Sequence, residues 1–304
     1  MPLPHKRPTR FKVVQRFGTA GGGMNKGIYI VKDETTEKKA VEKTFTKHDI
    51  NTGNAKRELQ YLRQLSGHPN ITRFVDGYYD PRRGGAGVFM NYCELGPLDQ
   101  LIIRQCKAGM RPIGEHYLWT WFIQLAGALS YCYNGPSGDP RARAEWNFII
   151  HRDVKPANVL LTRPTEGPHR GMVIVNLADF GCAVSKREYQ NGRANPARQS
   201  KYTDLYRPPE SPYYNQTSDV WQVGVTMISL CHLKLQWHQA YNWRFHPAPG
   251  YSPQLNEMIL RCMDDNYRTR ITASVLKHAL ERSYGKIRNF LPPSPDLILP
   301  TGRR

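Results

Sequence analysis

The sequence predicts an α+β fold in which a small β-rich part is followed by a larger, mainly helical part. Short runs typical of strands fill much of the first 92 residues, whereas long apolar stripes at helical spacing dominate from residue 93 onward. A polar segment at 151–158 lies between two apolar runs in the helical part. At 304 residues the chain is long enough to bury a full core, so we expect one functional unit with short tails.

The polar segment at 151–158, HRDVKPAN, brings together groups suited to catalysis. It places a carboxylate (Asp153), an ammonium (Lys155) and a carboxamide (Asn158) within six residues. Pro156 is expected to stop a helix, so that the three side chains can point into one cleft. The HRD tripeptide alone also fits a surface turn with a salt bridge, and only the motifs C-terminal to it favour the catalytic interpretation.

Three such motifs are present along the chain. They are DFG at 179–181 after an apolar run, YRPPE at 206–210 and DVWQVG at 219–224. Together with the HRD segment they resemble the motifs of eukaryotic protein kinases, and the lysine two residues after the HRD aspartate is typical of the serine/threonine type.

The resemblance implies a bilobal protein-kinase-like fold that covers almost the whole chain. The expected boundaries are a basic N-terminal tail at 1–10, a small β-rich N-lobe at 11–92, a larger mainly helical C-lobe at 93–282 and a C-terminal tail at 283–304.

The resemblance also implies how the catalytic groups act. Asp153 would accept the proton of the attacking hydroxyl, and Lys155 would neutralise charge on the transferred phosphoryl group. Asn158 and Asp179 would hold magnesium. Thr203 would link Asp153 to Lys155.

A strand and a helix before the polar segment are implied to bind ATP. The strand 39–45 resembles the family's VAIK strand, with Val41 facing adenine and Lys43 reaching the phosphates. Leucines recur at helical spacing over 54–65, and Glu58 on this helix would hold Lys43 in place. The alternative for Glu58 is a solvent-exposed helix acid. The other residues implied to contact the nucleotide are Met90, Tyr92 and Cys93 at the hinge between the lobes, and Leu160.

A glycine-rich stretch stands where the family binds phosphate. Gly18, Gly22 and Gly27 would permit tight turns and a close approach of backbone N–H groups to phosphate oxygens. The stretch departs from the family pattern, because counting back from Gly27 puts Met24 at the middle glycine and Tyr29 at the lid over adenine. Alternatively, the hairpin carries extra residues and Gly18 opens the loop. A merely flexible hairpin, without a role in binding phosphate, is a further alternative.

The segment 179–210 resembles an activation segment. Arg152, before the catalytic aspartate, is implied to receive a phosphate from it, and Ser200, between Arg198 and Lys201, is the best candidate for phosphorylation by an upstream activating kinase. Tyr202 and Thr203 are alternative phosphorylation sites. Alternatively, the positive charge of the segment docks it without a phosphate.

The order of the remaining elements is predicted from apolar stripes and breakers. Helices are expected around 118–133, 219–230, 255–263 and 275–280, and loops at 82–87, 134–147 and 162–171. Arg270 is implied to pair with Glu210, and the chain after residue 287 is expected to be extended.

The composition bounds the partners and the location. Lys plus Arg number 43 against 25 acids, a net charge of +18, but the basic residues are scattered and match no nucleic-acid module, so a diffuse positive field is expected. The six cysteines show no metal spacing and are interpreted as reduced thiols. No apolar run approaches the roughly 18 residues of a membrane span. A cytoplasmic or nuclear protein is predicted, with the basic stretch 5–10 as a solvated tail or an import signal.

The sequence therefore predicts an enzyme that transfers the γ-phosphoryl group of ATP, with Mg²⁺, to a serine or threonine of a protein substrate. A pseudokinase or weakly active kinase-like scaffold is the alternative, motivated by the divergent glycine-rich stretch. A small-molecule phosphotransferase would not need the Lys155-Pro156 pair or the ending at 206–210 that shapes a peptide platform.

Overall fold

The computed structural model describes residues 3–17, 27–136, 144–190, 204–236 and 246–300. The chain divides into two compact units. The first is Met1–Tyr92 with Asp179–Gly181, and the second is Cys93–Ala178 with Cys182–Arg304.

The first unit is built on an antiparallel sheet. Its strands are β1 (Phe11–Arg16), β2 (Gly27–Asp33), β3 (Lys39–Thr44), β4 (Phe74–Asp80) and β5 (Gly85–Asn91), in the order β1-β2-β3-β5-β4. Its helices are α1 (Lys47–Asn51) and α2 (Asn54–Leu65). The short helix α1 was not predicted. It begins at a capping box in which Thr46 and Asp49 satisfy each other's backbone N–H groups.

Alternation along the strands separates the two faces of this sheet. One face carries a buried cluster of Phe11, Val31, Ala40 and Phe89, in which the rings of Phe11 and Phe89 stack with centroids 3.9 Å apart. Because successive side chains point to opposite faces, Lys43 on β3 lies on the face away from this cluster.

The loop predicted at 82–87 is shorter than expected, because β5 already begins at Gly85. Gly87 lies directly opposite Tyr78 on β4. A Cβ atom at Gly87 would come 2.6 Å from the Tyr78 ring. Gly87 therefore leaves room for the Tyr78 ring to lie over β5. The glycines of 82–87 had instead been interpreted as a sign of a loop.

The N-terminal segment is not the solvated basic tail that was predicted for residues 1–10. Arg7 donates two hydrogen bonds to the Glu42 carboxylate, at 2.8 and 2.7 Å. The backbone N of Tyr79 donates to the O of Pro4 at 2.9 Å, and Arg10 pairs with Asp76 at 2.7 Å. The segment is therefore packed on the first unit, and two of its arginines, Arg7 and Arg10, form ion pairs with it.

The second unit is mainly helical. Its helices are α3 (Leu98–Lys107), α4 (Glu115–Asn134), α5 (Lys186–Gln190), α6 (Gln216–His232), α7 (Pro253–Cys262) and α8 (Ala273–Ile287). Its strands are β6 (Gly96–Pro97), β7 (Ile149–Ile150), β8 (Val159–Thr162), β9 (Ile174–Leu177) and β10 (Val184–Ser185). They form sheets of the order β6-β8-β9 and β10-β7. One-turn 3-10 helices occur in this unit at Pro156–Asn158 and Asp204–Tyr206, and another, Phe180–Cys182, lies where the chain passes from the first unit to the second.

The core of the second unit forms around α4 and α6. Trp119 and Trp121 of α4 are fully buried, and α6 is buried over most of its length. Helix α6 is capped by Asn215, whose side chain accepts from the N of Thr217, while the Ser218 hydroxyl accepts from the N of Asn215. A helix buried on nearly all sides can present polar side chains only to other buried groups.

The C-terminal segment lies against α3. Helix α8 extends to Ile287, beyond the boundary predicted at 282, and residues 291–300 then contain no helix or strand. The Nε of Arg104 donates to the O of Ile298 at 2.8 Å, and the N of Ile298 donates to Oε1 of Gln105 at 3.0 Å. A Cβ atom at Gly114 would overlap Ser294.

Within the described ranges, no helix combines the length and the apolar character that crossing a bilayer requires.

Candidate active site

In the first unit, Lys43 joins two carboxylates. Its Nζ lies 2.7 Å from Oε1 of Glu58, on α2, and 2.8 Å from Oδ1 of Asp179. The Lys43 and Glu58 side chains are 7% and 3% exposed, whereas that of Asp179 is 48% exposed. The structure therefore brings together three residues that were selected from separate motifs of the sequence, and Glu58 is not a solvent-exposed acid.

The two carboxylates fix the charge of Lys43. Burial opposes its ammonium form, but attraction to Asp179 and Glu58 outweighs burial and raises the pKa of Lys43 above its ordinary value. Lys43 is therefore a cation at neutral pH, held by two carboxylates, and an ammonium is suited to anionic ligands such as phosphates.

The strand register corrects one predicted contact. Ile28 lies directly opposite Lys43, whereas Tyr29 lies opposite Glu42. Since directly opposed residues share a face, Tyr29 is on the face away from Lys43, where it packs against the buried cluster that includes Phe89. The prediction that Tyr29 is the lid over adenine is therefore wrong, and Ile28 is on the face that carries Lys43.

The register also gives the face of two other residues predicted to contact the nucleotide, Val41 and Met90. Val41 and Met90 lie opposite each other on β3 and β5, half-buried and on the face of Lys43. Tyr92 is half-buried and is the last residue of the first unit before Asp179, and Cys93, which is buried, opens the second. Leu160, on β8, is half-buried.

Several predicted residues fall outside the part of the chain that the structure describes. They are Gly18 and Gly22 of the glycine-rich stretch, together with Ser200 and Thr203. Gly27 is the first residue of β2, where a Cβ atom would come 2.9 Å from the Tyr29 ring.

In the second unit, the predicted catalytic loop gathers around Asp153. Its Oδ2 accepts from Nδ2 of Asn158 at 2.9 Å and lies 3.0 Å from Nζ of Lys155. The same Nδ2 donates to the backbone O of Asp153 at 2.8 Å. The Asp153 carboxylate is therefore in contact with both the ammonium and the carboxamide.

Pro156 acts differently from the prediction. It was expected to exclude a helix, but it is the first residue of the one-turn 3-10 helix Pro156–Asn158. Proline suits this position, because the N–H that it lacks would have no partner within the helix. The turn brings Asn158 back beside Asp153.

The donor atoms on each unit suit magnesium. Asn158 uses its nitrogen on Asp153, so the oxygen of the same carboxamide is the atom that can act as a metal ligand. The Asp179 carboxylate accepts from Lys43 through one oxygen and is about half exposed. Mg²⁺ prefers oxygen ligands and is commonly held by one or two carboxylates together with substrate phosphates. In the described part of the chain, no three His, Cys, Asp or Glu side chains gather as a metal site.

A buried carboxylate on α6 supports the loop and was not selected from the sequence. Asp219 is fully buried and accepts from the backbone N atoms of His151 and Arg152, both at 2.7 Å, and from the hydroxyl of Tyr133 at 2.7 Å. The sequence does contain a signal for it. An acid at the start of an apolar helical run must find buried donors.

Arg152 contacts the segment after Asp179. Its Nε donates to the backbone O of Cys182 at 2.7 Å, and its backbone φ is +67°. Its predicted role as a phosphate receptor stays a prediction, since Ser200 is not described.

The pair predicted from the ending at 206–210 is present. Arg270 donates to both Glu210 oxygens, at 2.7 and 2.9 Å, and the hydroxyl of Ser218 donates to the same carboxylate at 2.6 Å. Burial alone would raise the pKa of Glu210, but these hydrogen bonds outweigh it and hold that pKa below its ordinary value. The contact ties the end of the segment 179–210 to the residues before α8.

A sheet-bound lysine with two carboxylate partners, and a loop that joins an aspartate to a lysine and a carboxamide, are the parts of a phosphotransferase. Comparison with known proteins agrees: the chain belongs to the protein kinase domain family, which matches residues 14–284. The predicted α+β kinase fold is confirmed.

The similar proteins are serine/threonine kinases by name. Serine/threonine-protein kinase Nek2 of Homo sapiens is 30% identical over 237 residues, covering 73% of this chain and 48% of the relative. Serine/threonine-protein kinase Nek5 of Homo sapiens is 28% identical over 310 residues, covering 95% of this chain and 38% of the relative. Serine/threonine-protein kinase Nek1 of Toxoplasma gondii is 26% identical over 299 residues, covering 90% of this chain and 18% of the relative. The chain thus spans about half, or less, of the length of the curated relatives it matches.

Proposed function

We propose that this chain is an active protein serine/threonine kinase, which transfers the γ-phosphoryl group of ATP to a serine or threonine hydroxyl of a protein. Family membership and the names of the similar proteins support this proposal. The observation that carries it is the contact of Asp153 with both Lys155 and Asn158. Nothing in the described residues or in the similar proteins favours a pseudokinase.

The reaction then depends on how the residues hold and move charge. The carboxylate of Asp153 accepts the proton of the attacking hydroxyl, and Asn158 orients this carboxylate by a hydrogen bond. Lys155 supplies positive charge beside that carboxylate. Thr203, as the family resemblance implies, links the two. When bound, MgATP supplies the phosphoryl group, and the metal neutralises phosphate charge.

We assign residues for nucleotide and metal in each unit by itself. ATP and Mg²⁺ are the cofactors that the family implies. We assign Lys43, which Glu58 holds, to the phosphates, because its side chain is a cation. We assign Asn158 and Asp179 to the metal, because their side chains carry the oxygen donors that Mg²⁺ prefers. The residues assigned to the rest of the nucleotide are Val41, Met90, Tyr92, Cys93 and Leu160, with Ile28 in place of Tyr29, and Gly18, Gly22 and Gly27 for the phosphates.

The limits of the lobes and the regulation belong to the same proposal. We assign the N-lobe to residues 11–92 and the C-lobe to residues 93–282. We also propose that the protein acts in the cytoplasm or the nucleus. An upstream kinase phosphorylates Ser200, and Arg152 receives that phosphate.

A radiolabel assay with MgATP and a generic basic protein tests the proposal. The expected result is phosphoserine or phosphothreonine, formed about 10² to 10⁴ times more slowly by Asp153→Asn, because that is the usual value of a positioned base. Asp296→Asn, the same change on an exposed aspartate of the C-terminal segment, is the matched control and should keep the parent rate.

Two results would contradict the proposal. A parent protein no faster than Asp153→Asn, although both bind an MgATP analogue, would indicate a kinase-like binding scaffold. Transfer to a small molecule but to no protein hydroxyl would indicate a different phosphotransferase.

A further inference from the structure

The side chain of Gln222 holds the backbone of the catalytic loop on both sides of Asp153. Its Nε2 donates to the O of Arg152 at 3.1 Å, and its Oε1 accepts from the N of Val154 at 2.9 Å. Gln222 is 3% exposed. A carboxamide has a donor and an acceptor on one rigid group, so it can satisfy a carbonyl and an N–H together.

Helix α6 presents Gln222 together with Asp219. The two residues are one turn apart and therefore lie on the same side of the helix. Asp219 accepts from the N atoms of His151 and Arg152, and Gln222 binds the next groups along the loop. Two neighbouring side chains of one buried helix thus bind four backbone groups between His151 and Val154.

The loop needs such support because of its conformation. Arg152 has a φ of +67°, in the left-handed region that is uncommon for residues other than glycine. A backbone in this region persists only where surrounding contacts hold it. The orientation of the peptide between Arg152 and Asp153 affects the direction of the Asp153 carboxylate. Gln222 binds the carbonyl oxygen of this peptide, which belongs to Arg152.

We propose that Gln222 is a positioning residue for phosphoryl transfer, acting through the backbone of Arg152 and Val154 to hold the Asp153 carboxylate where it accepts the proton. This inference rests on the proposed kinase activity. The motif at 219–224 had indicated only the start of a helix, and it gave Gln222 no role.

Gln222→Met tests the inference, because it removes both hydrogen bonds and keeps an unbranched side chain of similar size. Gln105→Met is the matched control. Gln105 is also fully buried and also accepts from a backbone N–H, but that of Ile298 in the C-terminal segment. The assay measures kcat and the KM for ATP with a saturating generic basic protein, normalised to the folded fraction of each variant.

We expect kcat of Gln222→Met to fall roughly tenfold to a hundredfold, because small misplacements of a reacting group have effects of this size. The KM for ATP should stay within about twofold of the parent, since the loss is confined to the transition state. Gln105→Met should change neither constant. A merely structural role would lower the folded fraction and leave the kcat of folded molecules unchanged.

Hydrogen exchange gives a second readout that does not depend on turnover. The peptide that covers 151–158 should exchange faster in Gln222→Met and unchanged in Gln105→Met. A parental kcat in folded Gln222→Met, or unchanged exchange of this peptide, would overturn the inference. If the parent is no more active than Asp153→Asn, the proposed kinase activity fails and the catalytic role of Gln222 with it, while the exchange still decides whether Gln222 holds the loop.

Discussion

The buried pair of Glu210 and Arg270 allows a stability prediction with a defined size. The Arg270 side chain is fully buried and that of Glu210 is 6% exposed. Glu210→Gln leaves the guanidinium without its carboxylate, although the O atoms of Asp264 and Thr217 still accept from it at 2.8 and 2.9 Å. Breaking a buried pair from one side costs about 3–5 kcal/mol, and these carbonyl acceptors favour the lower end.

A loss of about 3 kcal/mol corresponds to a fall in Tm of roughly 6 to 12 °C for a unit of this size. Scanning calorimetry of the parent and Glu210→Gln measures it, with the transition of the helical unit followed separately where the two units melt apart. Glu281→Gln is the matched control. Its partner Lys277 is 3.4 Å away and both side chains are about 40% exposed, so we expect less than about 0.5 kcal/mol.

The pH dependence checks the cause of the loss. Since the pKa of Glu210 is below its ordinary value of 4.5 in the folded protein, its stabilisation is present above that value and is lost as the pH falls toward the folded pKa. Glu210→Gln should therefore differ most from the parent at neutral pH and least at acid pH. Adding Arg270→Met should cost less than the sum of the two single losses, because it removes the stranded charge. Additive losses, or a Tm difference independent of pH, would refute this account.

Three further predictions concern activity. Lys43→Met should lower kcat/KM by more than about a hundredfold and Glu58→Gln by less, because bound phosphates can still hold the lysine; equal rates for Glu58→Gln and the parent would contradict this. Asp179→Asn should weaken the magnesium-dependent part of ATP-analogue binding, measured by magnesium titration, and an unchanged titration would remove Asp179 as a ligand. Ser200→Ala and Arg152→Ala should each lower activity, with a double variant little slower than either; additive losses, or full activity after phosphatase treatment, would show that another contact orders the segment.

Residues within short motifs could be predicted from the sequence, because their neighbours in the chain fix their setting. Asp153, Lys155 and Asn158 lie within six residues, and the loop between them can bring them together with little help. The distant contacts Lys43 to Glu58 and Arg270 to Glu210 were predicted only through the family resemblance. Local pattern alone gives no such pairings.

Strand register was beyond the sequence. Tyr29 was placed by counting from Gly27, but pairing with β3, not the number of residues after a turn, decides which face a side chain takes. A shift of one residue moves a side chain to the other face. For this reason Ile28 is on the face that carries Lys43, whereas its neighbour Tyr29 is on the opposite face. A similar error was the loop predicted to extend to Gly87. This glycine lies in β5, where the nearby ring of Tyr78 leaves no room for a Cβ atom.

Polar residues in apolar surroundings were the other gap. Asp219 and Gln222 lie in a run that is typical of a buried helix, so the sequence indicates that they must have partners but not which ones. Apart from the Tyr133 hydroxyl, which donates to Asp219, the partners described above are backbone atoms about 70 residues earlier, and backbone atoms leave no trace in a sequence.

The packing of the N-terminal segment affects where this protein can be trimmed. A domain cut at residue 14, where the family match begins, would keep every motif but remove both Arg7 and Phe11 of the buried cluster. Glu42, whose side chain is 2% exposed, would lose both of its hydrogen bonds from Arg7. Glu42 directly precedes Lys43 on β3, so the damage would fall on the strand that positions this lysine. A truncated protein could then be inactive although every catalytic side chain is present, and that result would reflect the choice of end rather than the chemistry of the enzyme.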